Sequence, residues 1–142
     1  MALCIQSEFG DSKQRNRILI IDDEQDTAFT LQMALEQYGF KTDTYTDPVL
    51  AYQDFRDSIY DLVILDIKMP GIDGFHLYQK IRMTDSKVKI CFLTATEFFR
   101  EQIRKEYGLG NYKQELFLRK PVEIMDLIHA TRRSLESVIR DA

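Results

Sequence analysis

The chain has 142 residues and a formal net charge of −4, the size of about one domain around a single core. It has no run of Lys or Arg of the kind that direct nucleic-acid binding requires, no apolar stretch of membrane-span length and no signal-peptide pattern. Cys4 lies in a polar leader and Cys91 in an apolar run, too few and too differently placed for a disulfide framework. A soluble, cytoplasmic protein with reduced thiols, bound neither to nucleic acid nor to a membrane, is expected.

Residues 1–16 are polar and aperiodic, a flexible leader carrying Gly10 and leading into the basic cluster Lys13 to Arg17, and the folded domain is expected over 17–140. A first strand is expected over about Arg17 to Asp22. Glu24 to Tyr38 then places Ala28, Leu31, Leu35 and Tyr38 at helical spacing, and Gly39 stops it. Phe40 to Tyr45 alternates as a second, edge-like strand. Asp47 and Pro48 open a helix as cap and first-turn proline, with Leu50, Ala51 and Phe55 facing inward. After the apolar run Leu62 to Leu65, the turn-rich segment Met69 to Gly74 feeds a helix from about Phe75 to Met83. The run Ile90 to Leu93 is a fourth strand, followed by a helix from about Glu97 to Tyr107 and a loop holding Gly108 and Gly110. Leu116 to Leu118 is a fifth strand, and a last helix spans about Val122 to Arg140, with Leu127, Ile128, Leu135, Val138 and Ile139 on one stripe.

Short continuous Val/Ile/Leu/Phe runs alternating with helices read as parallel strands buried on both faces, and right-handed crossovers place helices on both faces of the sheet. Four of the runs end on or near reactive side chains: Asp22 and Asp23, Asp66, Thr94, and Lys120. For these ends to meet, strands 1, 3, 4 and 5 must be neighbours and the alternating strand 2 must take the edge. The expected fold is therefore an α/β domain with a five-stranded parallel sheet in flavodoxin-like order 2-1-3-4-5, whose ligand crevice opens outside the strands' carboxyl ends.

Charge dictates the chemistry of that crevice. Three crowded carboxylates repel, and they are tolerable with a hard divalent cation among them, most simply Mg²⁺. Asp66, at the centre, is placed to attack phosphorus as a carboxylate nucleophile, giving an acyl phosphate. Lys120 and the Thr94 hydroxyl would meet charge on the equatorial oxygens.

The acid pair after strand 1, Asp66 within Leu65-Asp66-Ile67-Lys68-Met69-Pro70-Gly71-Ile72-Asp73-Gly74, Thr94-Ala95 and Lys120-Pro121 together resemble the receiver domain of two-component response regulators, the CheY-like family. The likeness covers about residues 17–138. It implies that Asp66 accepts a phosphoryl group from the phosphohistidine of a sensor histidine kinase or phosphotransfer protein. It implies that the Asp23 and Asp66 side chains and the Lys68 main-chain carbonyl hold Mg²⁺, with Asp22 acting largely through water. Lys120 would pair with the phosphate, Thr94 would swing to bond it, and Phe117, three residues before the lysine, would turn inward as the switch. The output surface would be the Glu97–Tyr107 helix, strand 5 and the last helix, where relatives bind targets or form homodimers. The implied protein is a stand-alone phosphoacceptor acting on an output protein the sequence does not name. It is not an enzyme with a separate substrate, and catalyses at most its own phosphorylation from small donors and its own dephosphorylation.

Two further roles share the fold: a phosphate shuttle in a phosphorelay, and an unphosphorylated interaction scaffold, against which the intact acids, Thr94 and Lys120 argue. A haloacid-dehalogenase-type phosphatase needs a second acid two residues after its nucleophile, where this chain has Lys68. A flavodoxin-like flavin carrier needs a first loop that welcomes an anionic phosphate, and Asp22 and Asp23 would repel it. Lys68 and Thr96 flank the path of an attacking water, and Lys68 is expected to change the rate at which the acyl phosphate hydrolyses; the sequence does not give the lifetime itself. His76 and His129 read as surface or packing residues, and Met33, Met69, Met83 and Met125 form no cofactor stripe. Phe98, Phe99, Tyr107 and Tyr112 read first as core aromatics, but Phe98 and Phe99 are adjacent on a helix and cannot both face one way, and an exposed one would mark a contact surface.

Overall fold

The apolar runs do pair as parallel strands, because their side chains must be buried on both faces at once. In the computed structural model the described residues are 17–67, 69, 72, 74–95 and 116–141, with 137–141 as backbone alone. The elements are β1 (Arg17–Ile21), α1 (Gln25–Gln37), β2 (Lys41–Tyr45), α2 (Pro48–Asp54), β3 (Leu62–Asp66), α3 (Gly74–Thr84), β4 (Lys89–Thr94), β5 (Leu116–Arg119) and α4 (Ile124–Asp141). The sheet order is β2-β1-β3-β4-β5, all pairs parallel. The leader, the expected Glu97–Tyr107 helix with Phe98 and Phe99, the Gly108–Tyr112 loop, Lys68 and Thr96 lie outside the described residues.

Alternation along the strands divides the core into two layers. Leu19, Ile21, Val63, Leu65, Ile90 and Phe92 face α2 and α3, meeting Ala51, Phe55, Phe75, Leu77, Tyr78 and Ile81. Ile18, Ile20, Leu62, Ile64, Cys91 and Leu93 face the other way, meeting Ala28, Leu31 and Leu35 of α1 and Leu127, Ile128 and Leu135 of α4. Burial of each such aliphatic side chain contributes about 1.5–3 kcal/mol, so β3, buried at every residue, is a stiff central support. β2, whose residues are only partly covered, takes the edge.

Two helix faces differ from expectation. Leu50 is 47% exposed while Ala51 and Phe55 are buried. A helix this short presents a single inward stripe, and adjacent positions cannot share it. Tyr38 lies past the end of α1, at its C-cap, and is exposed. Its hydroxyl reaches Met125 Sδ at 3.5 Å, and the Arg132 guanidinium lies 5.5 Å from its ring centre. Asp47 caps α2 as expected, Oδ1 accepting from the Val49 N–H at 2.9 Å. His76 and His129 are exposed, and Cys91 is buried. Among the described residues, no helix is long and apolar enough to cross a membrane.

Candidate functional site

The sheet register gathers the strand ends. Ile21 pairs with Leu65, Asp66 with Leu93, and Thr94 with Arg119. The Lys120 N–H donates to the Thr94 carbonyl at 2.8 Å, and the Ile67 N–H to that of Leu93 at 3.2 Å. The four strand ends therefore open onto one cleft of about 310 Å³, lined by Asp23, Glu24, Asp66, Ile67, Leu93, Thr94, Ala95 and Lys120. Asp22 stands behind this lining, wholly buried.

One ammonium serves three carboxylates. Lys120 Nζ donates to Asp66 Oδ2 at 3.1 Å and to Glu24 Oε1 at 2.9 Å, and it forms an ion pair with Asp22 Oδ2 at 3.1 Å. The Glu24 N–H donates to Asp22 Oδ1 at 3.0 Å. Burial, and then the charge of Asp22, push the Asp66 carboxyl up to about 7 against the pull of Lys120. Burial works to lower the Lys120 ammonium, but its bonds to Glu24 and Asp22 and the charge of Asp66 outweigh that and raise it. Its bond to Lys120 holds Glu24 below the usual carboxylate range.

A close backbone approach seats the start of α3 against the end of β3. The Gly74 N–H donates to the Ile67 carbonyl at 3.2 Å. A Cβ at Gly74 would lie 2.5 Å from that oxygen and 2.9 Å from the Asp66 carbonyl oxygen, so only glycine fits there. On the far side, Phe117 is partly buried and stacks on Phe92, centroids 5.2 Å apart, and Phe92 meets Tyr78 at 5.1 Å. The Lys120–Pro121 peptide bond is cis.

The donor set suits a hard cation. Asp22, Asp23 and Asp66 each offer a carboxylate oxygen, all within 4.8 Å of one another, and among the described residues these three and Glu24 outnumber the Lys120 ammonium they surround. The Asp66 carboxyl, raised by burial and by the charge of Asp22, is what residual negative charge looks like before a cation offsets it. Sequence reasoning found Asp22, Asp23, Asp66, Thr94 and Lys120, and the structure brings all five to one end of the sheet. It missed Glu24 and Gly74, which had read as a helix start and a turn residue. The signal for Glu24 was a third consecutive acid, and for Gly74 a glycine at the first position of a helix.

Residues 18–132 match the family model described as the response regulator receiver domain. The chain belongs to that family. Receiver domains serve two-component signalling by phosphorylation, bind Mg²⁺ at an acidic pocket and interact with histidine kinases or phosphotransfer proteins, and the acidic group is present in this receiver. Among its relatives is the transcriptional regulatory protein TctD of Salmonella typhimurium, 32% identical over 111 residues, which are 78% of this chain and 48% of TctD. PcoR of Escherichia coli, also a transcriptional regulatory protein, is 31% identical over 120 residues, 84% of this chain and 51% of PcoR. The receiver thus spans about half the length of the curated relatives it matches. Among solved structures, TrrA of Thermotoga maritima in complex with Mg²⁺ and BeF is 30% identical with a TM-score of 0.70, covering 84% of this chain and 98% of that one. A CheY-like receiver from Methanospirillum hungatei, 19% identical with a TM-score of 0.74 over 89% of this chain and 98% of its own, shows the shared fold.

Proposed function

We propose that Asp66 is the phosphoacceptor of this receiver. The carrying observation is its carboxylate at the end of β3, facing the cleft, with Lys120 Nζ 3.1 Å from Oδ2. The donor is a phosphohistidine on a sensor histidine kinase or phosphotransfer protein. An Asp66 carboxylate oxygen attacks phosphorus in line, a P–O bond forms as the P–N bond breaks, and the electron pair returns to the imidazole, which leaves neutral with its proton on the other nitrogen. Lys120 meets the charge on the phosphoryl oxygens, and the Thr94 hydroxyl, at the mouth of β4, bonds one of them. Asp22, Asp23, Asp66 and the Lys68 main-chain carbonyl are the groups that would hold Mg²⁺. The cation when bound supplies charge neutralisation for the incoming phosphoryl donor.

The output follows from packing. Thr94 moving toward the phosphoryl group changes the space beside Phe117, whose ring stacks on Phe92, and so biases the surface built on β5 and α4 toward a second state that a partner protein reads. The test is labelling with acetyl phosphate and Mg²⁺ followed by intact mass. One phosphoryl adduct is expected on the wild type and none on Asp66→Asn. An adduct retained in Asp66→Asn would refute the assignment.

A further inference from the structure

We infer that Glu24 is a positioning residue that occupies Lys120 until a phosphoryl group replaces it; the inference rests on the reading of Asp66 as phosphoacceptor. Glu24 is the N-cap residue of α1, a place where a short side chain ordinarily accepts from the helix's first amides. Its side chain makes no such cap bond. It turns instead to Lys120 Nζ at 2.9 Å, ninety-six residues away in sequence.

Three oxygens lie within 3.1 Å of Nζ, as many as an ammonium has donors. A phosphoryl oxygen arriving on Asp66 needs one of those places. Asp22 is wholly buried and its side chain would be left with an uncompensated charge in the interior. Asp66 is the group being modified. Glu24, 61% exposed along its side chain, is the one that water can take back. The exchange is balanced: the Nζ to Glu24 hydrogen bond breaks, an Nζ to phosphoryl oxygen bond forms, Glu24 is rehydrated, and no proton changes hands. In the resting state Glu24 thus keeps the ammonium at the cleft, and in the phosphorylated state it competes for it.

Beryllofluoride, a phosphoryl mimic, reads that competition at equilibrium. At saturating Mg²⁺ and low salt, Glu24→Gln is expected to bind it about 2- to 5-fold tighter than wild type, the span an exposed ion pair is worth. The gain should fade in 1 M salt, because exposed pairs are screened. Glu24→Asp keeps the charge but is one methylene shorter and falls short of Nζ, so it should tighten binding in the same direction. Unchanged or weaker binding by Glu24→Gln, or Glu24→Asp indistinguishable from wild type, would overturn the inference. A cation-free readout stands beside it: in urea unfolding with chelator, Glu24→Gln and Lys120→Met should be non-additive, and strict additivity counts against the contact. If wild type and Asp66→Asn bind beryllofluoride alike, it is the phosphoacceptor reading that fails, and this inference with it.

Discussion

Replacing Asp66 with asparagine should make the Mg²⁺-free protein more stable, although it removes the central functional group. Asp66 sits beside Asp22 at the end of a fully buried strand, and its carboxyl is raised from the ordinary 3.8 to about 7. The folded state therefore holds this proton more tightly than the unfolded chain does. Its contribution is fully present below about pH 4, falls as pH rises through the interval from 4 to 7, and is gone above 7. At about 1.4 kcal/mol per tenfold, linkage sets a ceiling of about 4 kcal/mol for the cost of charging Asp66. Because the group opens onto a solvated cleft, screening reduces this to about 1–3 kcal/mol. Asparagine keeps an acceptor for Lys120, which retains Asp22 and Glu24. At pH 8 in chelator, Asp66→Asn should melt about 3–10 °C above wild type, and the gap should shrink toward pH 5. Thermal unfolding by circular dichroism across that range is the assay. A less stable Asp66→Asn at pH 8, or a gap that widens as pH falls, would show that Asp66 is not strained by its neighbours.

Mg²⁺ should raise the melting temperature of the wild type in a concentration-dependent way, and much less so that of Asp23→Asn, by mass action on the folded state; equal shifts in a titration of both proteins would remove Asp23 from the site. Gly74→Ala should cost about 1–3 kcal/mol in urea unfolding and slow labelling of Asp66, since the new Cβ meets the Ile67 and Asp66 backbone; wild-type stability would contradict that contact. Phe117→Ala should cost about 1–3 kcal/mol, below the full price of a buried phenyl because the ring is only partly covered, and should alter the near-ultraviolet circular dichroism of the Phe92 stack. Lys68→Ala should change the rate at which the acyl phosphate hydrolyses, followed by loss of label after donor removal; an unchanged rate would sink its assigned place beside the water path.

The strands were legible because burial on both faces leaves a continuous apolar run, and a run that stops on an acid, a threonine or a lysine marks the solvent-facing end. Asp22, Asp66, Thr94 and Lys120 could be found in that way, and the order of the sheet followed from requiring them to meet. Helix faces were harder to read. Leu50 and Ala51 are neighbours on a helix too short for periodicity to choose between them, and the backbone geometry of α2 decided for Ala51. Tyr38 fits helical spacing, but the helix ends one residue before it. Glu24 and Gly74 were invisible as site residues for a shared reason: their roles depend on distances to residues far away in sequence, Lys120 for one and the backbone of Ile67 for the other.

The single ammonium among three carboxylates also constrains how such a site can change over generations. Losing Lys120 first would strand the buried Asp22 and take from Glu24 and Asp66 the ammonium that they share with it. Losing one acid first leaves the lysine two partners. The accessible order of substitution is thus acids before lysine, and a lineage abandoning this chemistry should pass through forms that keep the lysine after the aspartates have begun to vary.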